Sequence, residues 1–294
     1  MRITQGMLAQ NSLSNLSKSY GSMDKLQNQL STGKKISRPS DDPVVAMKGM
    51  FYRTNLTEVE QFKRNLSESY TWMDNSESGI EQGTQVIQRF RELMVQAKNG
   101  SNSADDLKAI GTEMEQLRED LQGVANTQVA GKYIFNGTKT DTPPIAADGT
   151  VKFNTDSFNI EVSKGVQLKS NVDGVNAFGG LVNGQDLFKT IGDIINSVNS
   201  NSMGSSDQQL ADLDKHFDNM SAERSELGAR YNRLELIDDR VNQQEVVANR
   251  ILSDNEDADI EQVITDLKMQ ESVNRAALSV SARIIQPSLM DFLR

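Results

Sequence analysis

At 294 residues the chain is long enough to bury a sizeable core, as one large domain or two ordinary ones. Its formal net charge of −10 excludes a general binder of nucleic acid or of an anionic membrane surface, since both need a basic face. The absence of cysteine excludes disulfides, thiolate zinc sites and cysteine nucleophiles.

Apolar residues make up 36% and aromatics only 5%, a balance that suits long helices better than a sandwich, so the expected fold class is mainly α. Charge is unevenly spread. Residues 1–37 carry five Lys or Arg against a single acid, Asp24, and 260–294 carry four of each sign, which leaves −14 between them. The middle therefore repels its copies and the ends do not. The start, Met1-Arg2-Ile3-Thr4-Gln5-Gly6, has no apolar core of a signal peptide, and no apolar run approaches spanning length. Neither a signal-peptide route nor membrane insertion is expected.

From the N-terminus, Leu13, Leu16, Tyr20, Met23 and Leu30 fall at alternating spacings of three and four, with polar Gln27 at the remaining step, which predicts a coiled-coil seam. Gly33 can end that helix, Pro39 prevents its continuation, Ser40 or Asp41 can cap the next, and Pro43 suits its first turn. Arg38, Pro39, Ser40, Asp41, Asp42 and Pro43 thus read as a helix joint. Val59, Leu66, Met73, Ile80, Ile87 and Met94 then recur every seven residues, with Phe62, Ser69, Ser76, Gly83, Phe90 and Ala97 as a companion row. This pattern predicts one very long helix that ends at Asn99-Gly100. Ser103 caps the next helix, with Asp105 and Asp106 in its first turn and Leu107, Ile110, Met114, Leu117, Leu121 and Val124 as its stripe. These two helices are expected to pack antiparallel.

From Lys132 the pattern changes to short alternating runs, Tyr133-Ile134-Phe135, Val151-Lys152-Phe153, Phe158 to Val162 and Val166 to Leu168, separated by Gly, Pro, Asn and Asp. A small β-rich insert is expected there. Helical spacing returns at Leu187, Ile191, Ile194, Ile195 and Val198, then runs from Leu210 through Leu213, Phe217, Met220, Leu227, Tyr231, Leu234 and Val241 to Ala248. A second polar joint follows at Ser253 to Asp259, with a Ser253-x-x-Glu256 capping-box pattern. The last helix has Ile260, Val263, Leu267, Val273, Ala277, Val280, Ile284, Leu289 and Phe292 as its stripe.

The layout goes out and comes back, so the expected architecture is a long antiparallel coiled-coil bundle built from both chain ends with the β-rich insert at its tip. The expected domains are a terminal coiled coil (1–42 with 254–294), a helical core (43–131 with 186–253) and the insert (132–185). Fixing about 30 backbones in the first segment costs on the order of 30–60 kcal/mol, while each stripe side chain returns roughly 1.5–3 kcal/mol. That segment needs a partner. Pairing with the final helix is the solution within one chain. Apolar residues off the seam, such as Ile3, Met7, Leu8, Leu26, Leu278 and Ile285, call for a second surface supplied by other copies. Heptads alone leave open whether the ends finish a bundle inside a monomer or build a polymer.

The candidate chemistry has bland readings. His216 is the single histidine, lying beside Phe217 with no G-x-S-x-G serine motif, and one histidine without cysteine cannot make an H-E-x-x-H zinc site. The acids from Asp254 to Asp259 lack the glycine and spacing of a calcium loop. Asp41 and Asp42 are neighbours at a helix start and suit capping better than paired acid and base. Trp72 is expected to sit between helices. No catalytic, cofactor-binding or metal residue is assigned, and no enzymatic activity is expected.

The joint Gly33-Lys34-Lys35-Ile36-Ser37-Arg38-Pro39-Ser40-Asp41-Asp42-Pro43 resembles that of the bacterial flagellin superfamily. So do Arg91 to Gly100, Gly228 to Leu234 and Ser253 to Asp259, and together these stretches span nearly the whole chain apart from the insert. The Pro-Ser-Asp-Asp-Pro form of the joint, Gly131 to Gly137 and the ending Ser288 to Leu293 resemble the branch of hook-associated proteins that join hook to filament, the FlgL type. Arg294 after the final Leu and the short insert depart from that pattern and keep filament flagellin as an alternative; a cytoplasmic coiled-coil interaction protein is another. The resemblance implies a structural subunit exported unfolded through the flagellar type III apparatus and held by an export chaperone at its C-terminal helix. It further implies a ring or tube of its own copies in the extracellular flagellum, with an adjacent hook-associated protein on one side and flagellin on the other. The two terminal stripes, Leu13 to Leu30 and Ile260 to Phe292, are then the expected assembly interface.

Overall fold

A computed structural model of the chain describes residues 5–99, 102–146 and 149–285. The elements are α1 (Gln5–Thr32), α2 (Pro43–Lys98), α3 (Ala104–Ala125), β1 (Gln128–Val129), β2 (Lys132–Tyr133), β3 (Asn159–Ser163), β4 (Val166–Lys169), α4 (Leu187–Asn199), α5 (Ser206–Glu256) and α6 (Ile260–Ile285). The protein is mainly helical, as composition and spacing predict.

Two compact units are formed, 1–58 with 244–294 and 59–243. Both divisions fall inside helices, α2 and α5, instead of at the polar joints, and the 132–185 insert lies within the second unit.

In the second unit every member of the predicted α2 row, Val59, Leu66, Met73, Ile80, Ile87 and Met94, is buried. Facing it, α5 buries Leu213, Met220, Leu227, Leu234 and Val241, again at sevens. Arg91 to Asp214 at 2.7 Å and Arg224 to Glu77 and Glu81 at 3.4 Å show the antiparallel sense of this pair. Arg89 to Glu113 at 2.7 Å joins α2 to α3. Ser103 caps α3, as predicted, and the structure adds a full capping box with Asp106.

Among its described residues the insert has few strands, and its buried side chains belong to one core with those of the helices. Lys132 and Tyr133 pair with Val129 and Gln128 across a turn at Ala130 and Gly131, both at positive φ, and β3 pairs with β4. The predicted Val151 run contributes only a single bridge to Ile145. Instead the insert is anchored on helices. Phe135 and Phe178 meet edge to face at 4.9 Å and rest on Gly79 and Gly83 of α2, where an added Cβ would stand 2.8 and 3.0 Å from the two rings. Trp72 stacks obliquely on Phe158 at 5.5 Å, and buried Glu223 of α5 accepts from the Asp173 amide at 3.1 Å. Dependence on these helices is why the insert does not separate as a unit.

Candidate assembly surfaces

In the first unit α1 and α6 lie antiparallel, with Gln270 Nε2 donating to Ser19 Oγ at 2.9 Å. The inward row of α6 is Val263, Leu267, Gln270, Asn274, Ala277 and Ser281, spaced four and three, and that of α1 is Ser12, Leu16, Ser19, Met23 and Leu26. The rows keep Leu16, Met23, Val263, Leu267 and Ala277 of the predicted stripes and take a neighbouring position at the other steps, because a helix that carries two adjacent a/d-type rows can turn either one inward. Val263 is buried and Leu16, Met23, Leu267 and Ala277 are half-buried. Leu13, Tyr20, Leu30, Ile260, Val273 and Val280 point outward, 36 to 61% exposed. Ile284 belongs to α6, while Leu289 and Phe292 lie outside the described residues.

The internal seam thus sets small and polar side chains among Leu16, Met23, Leu26, Val263 and Leu267, and Asn274, 7% exposed, has a buried side-chain oxygen with no hydrogen-bond partner. A groove of about 640 Å³ runs along the pair, lined among others by Leu16, Ser19, Val273, Ala276, Ala277 and Val280.

A further apolar face was not read from the sequence. Val44, Met47, Met50 and Phe51 at the start of α2 are 56 to 67% exposed. Val44, Met47 and Phe51 share one face, opposite Gly49, which meets Glu256. Val246 and Ile251 near the end of α5 are exposed as well. The visible signal was a run of large apolar residues immediately after Pro43, outside the sevenfold row that begins at Val59.

The joints differ in detail from expectation. Gly33 ends α1 at positive φ, its amide bonded to the Gln29 carbonyl at 2.9 Å. Asp42, not Ser40 or Asp41, caps α2, accepting from the Val44 and Val45 amides at 2.9 and 3.1 Å, with Pro43 opening the helix. Asp41 instead closes the turn before it, accepting from Ser37 and Arg38, and these amides hold its carboxyl below the usual range. Ser40, Arg38 and Pro39 are exposed. At the second joint α5 runs on through Glu256, so Ser253 and Glu256 form no capping box there. Asp259 caps α6, accepting from Glu261 and Gln262 at 3.1 Å.

With both ends and both joints in view, the comparisons with known proteins decide the family. Residues 3–140 match the bacterial flagellin N-terminal helical region and 191–293 the bacterial flagellin C-terminal helical region. The chain belongs to the bacterial flagellin family. Flagellar hook-associated protein 3 of Escherichia coli (strain K12) is 26% identical over 300 residues, 94% of this chain and 95% of that protein. Flagellin of Bacillus subtilis (strain 168) is 30% identical over 247 residues, 80% of each. Among solved structures, a flagellar hook-associated protein from Vibrio parahaemolyticus has the same fold, with a TM-score of 0.69 at 23% identity, covering 74% of this chain and 100% of that one.

In this flagellin-family chain the remaining chemical candidates take structural places. His216 is 3% exposed, its Nε2 3.4 Å from Thr190 Oγ1, and burial pushes its pKa down to about 4 against the opposing pull of Asp186 and Asp212. The imidazole is thus a buried, neutral member of the helical core at neutral pH. Among the described residues no group of three His, Asp or Glu side chains is placed to hold a metal ion.

Proposed function

We propose that this chain is a structural subunit of the bacterial flagellum that joins hook to filament, without catalytic activity. It is exported unfolded and assembles with its own copies through its terminal helices. The reading is carried by the α1–α6 pair, on which six large apolar side chains face out while the inward rows hold polar Ser19, Gln270 and Asn274 among their apolar members. Water on that outer face is a cost the isolated molecule bears and an assembly removes. Full-length similarity to hook-associated protein 3 supports the junction role, and the adjacent hook-associated protein, flagellin and an export chaperone are the partners that follow.

Removing residues 1–35 and 260–294 is expected to abolish self-assembly and leave a helical core that melts cooperatively; undiminished assembly refutes the reading. The 30% identity to Bacillus subtilis flagellin favours filament subunit as the second reading. Mass spectrometry of purified hook-filament preparations separates the two, since a junction protein is scarce beside the bulk filament protein and a filament flagellin is that bulk protein.

A further inference from the structure

The two polar joints, far apart in sequence, are knitted together. Lys34 and Asp257 form an antiparallel bridge, the Lys35 amide donates to the Glu256 carbonyl at 2.6 Å, and the Ala258 amide donates to that of Gly33 at 2.8 Å. Lys34 Nζ reaches Asp257 at 2.7 Å, which holds that carboxyl below its usual range. At the centre is the Glu256 side chain, 5% exposed, between Arg53 Nη2 at 2.8 Å and Lys34 Nζ at 3.7 Å. Its Oε1 lies against α2 at Gly49, where a Cβ would stand 2.5 Å away. The preceding residue, Asn255, donates to the Val45 carbonyl at 3.1 Å.

One carboxylate therefore touches α2 through Gly49 and Arg53 and the first joint through Lys34, while its own backbone is tied to Lys35. We propose that Glu256 is a positioning residue that clasps the joints and sets the direction in which the α1–α6 pair leaves the ends of α2 and α5. This rests on reading the chain as an assembling subunit. Closed rings and regular tubes require the same rotation at every interface, so each copy must present its ends at one angle. Flexible joints would let that angle vary. An exposed ion pair does little to prevent it; a carboxylate withdrawn from water does more, because leaving it unpaired is costly. Gly49 is the geometric condition for the withdrawal.

The test uses full-length protein and two independent variants, Glu256→Ala and Gly49→Ala. The second alters no charge and raises the helix propensity of α2, so any loosening it causes cannot come from a weaker helix. Both variants are expected to exchange the Lys35 and Ala258 amides at least tenfold faster than wild type, with an unchanged melting temperature. Their assemblies, viewed by electron microscopy, should be of mixed diameter. Unchanged exchange in both variants overturns the clasp. Faster exchange with uniform, wild-type-like assemblies overturns the positioning role. A wild-type chain that forms no assembly overturns the subunit reading and the positioning role with it, an outcome distinct from the other two.

Discussion

His216 couples the second unit to acid. The unfolded chain takes up a proton near pH 6.5, whereas the buried imidazole resists until about 4, so the unfolded state binds more protons between those values. Stability is fully present above pH 6.5 and falls as pH drops through that window, by on the order of 3 kcal/mol. Comparing urea midpoints at pH 7 and 4.5 for wild type and His216→Gln isolates this contribution, because the carboxylates titrate equally in both. The variant should lose distinctly less stability on acidification. Gly79 makes a second residue-scale case. In an isolated helix Gly79→Ala would help, but here the new methyl meets the Phe135 ring at 2.8 Å. Overpacking of this kind costs roughly 1–3 kcal/mol, so chemical denaturation should show a lower midpoint despite the better helix former.

At the scale of elements, the long helices of the second unit and the terminal pair use the same heptad grammar for different ends. In α2 and α5 the sevenfold rows are apolar and buried, which makes a stable bundle from a single molecule. In α1 and α6 the inward rows set polar Ser19, Gln270 and Asn274 among Leu16, Met23, Val263 and Leu267. Asn274→Leu removes a buried oxygen that lacks a donor, and relief of about 1–3 kcal/mol is expected to slow exchange along α6 in the unassembled protein. Slower exchange confined to α1 and α6, with no change in the second unit, is the outcome to look for. A polar residue at one such position commonly fixes register at the expense of stability.

For the whole molecule, charge and exposed apolar area point the same way. The span between residues 37 and 260 carries −14, the ends +4 and 0, so copies approach end to end with least repulsion. Added salt should promote self-association by screening the acidic middle. The pair of substitutions Leu13→Glu and Val273→Glu puts charge on two outward positions without touching the inward rows. Sedimentation should then show loss of association, by tenfold or more, at an unchanged melting temperature.

Helix number, the long rows of α2, α3 and α5, the cap at Ser103 and the places of both joints were legible in the sequence, because heptad spacing, caps and breakers act within a few residues of themselves. Membership of the flagellin family was legible for the same reason, since its joints are short local signatures. What local spacing could not decide was which of two neighbouring rows on α1 and α6 turns inward. Leu13 and Tyr20 are as good a stripe as Ser12 and Ser19 are a poor one, yet the poorer row faces the partner helix. Nor could it show that Asp42 rather than Asp41 caps α2, that the insert rests on Gly79 and Gly83, or that Glu256 is drawn across to Arg53 and Lys34. Each of these depends on a neighbour between 56 and 251 residues away in the chain or on the turn that precedes it, and only packing in three dimensions brings such groups into competition.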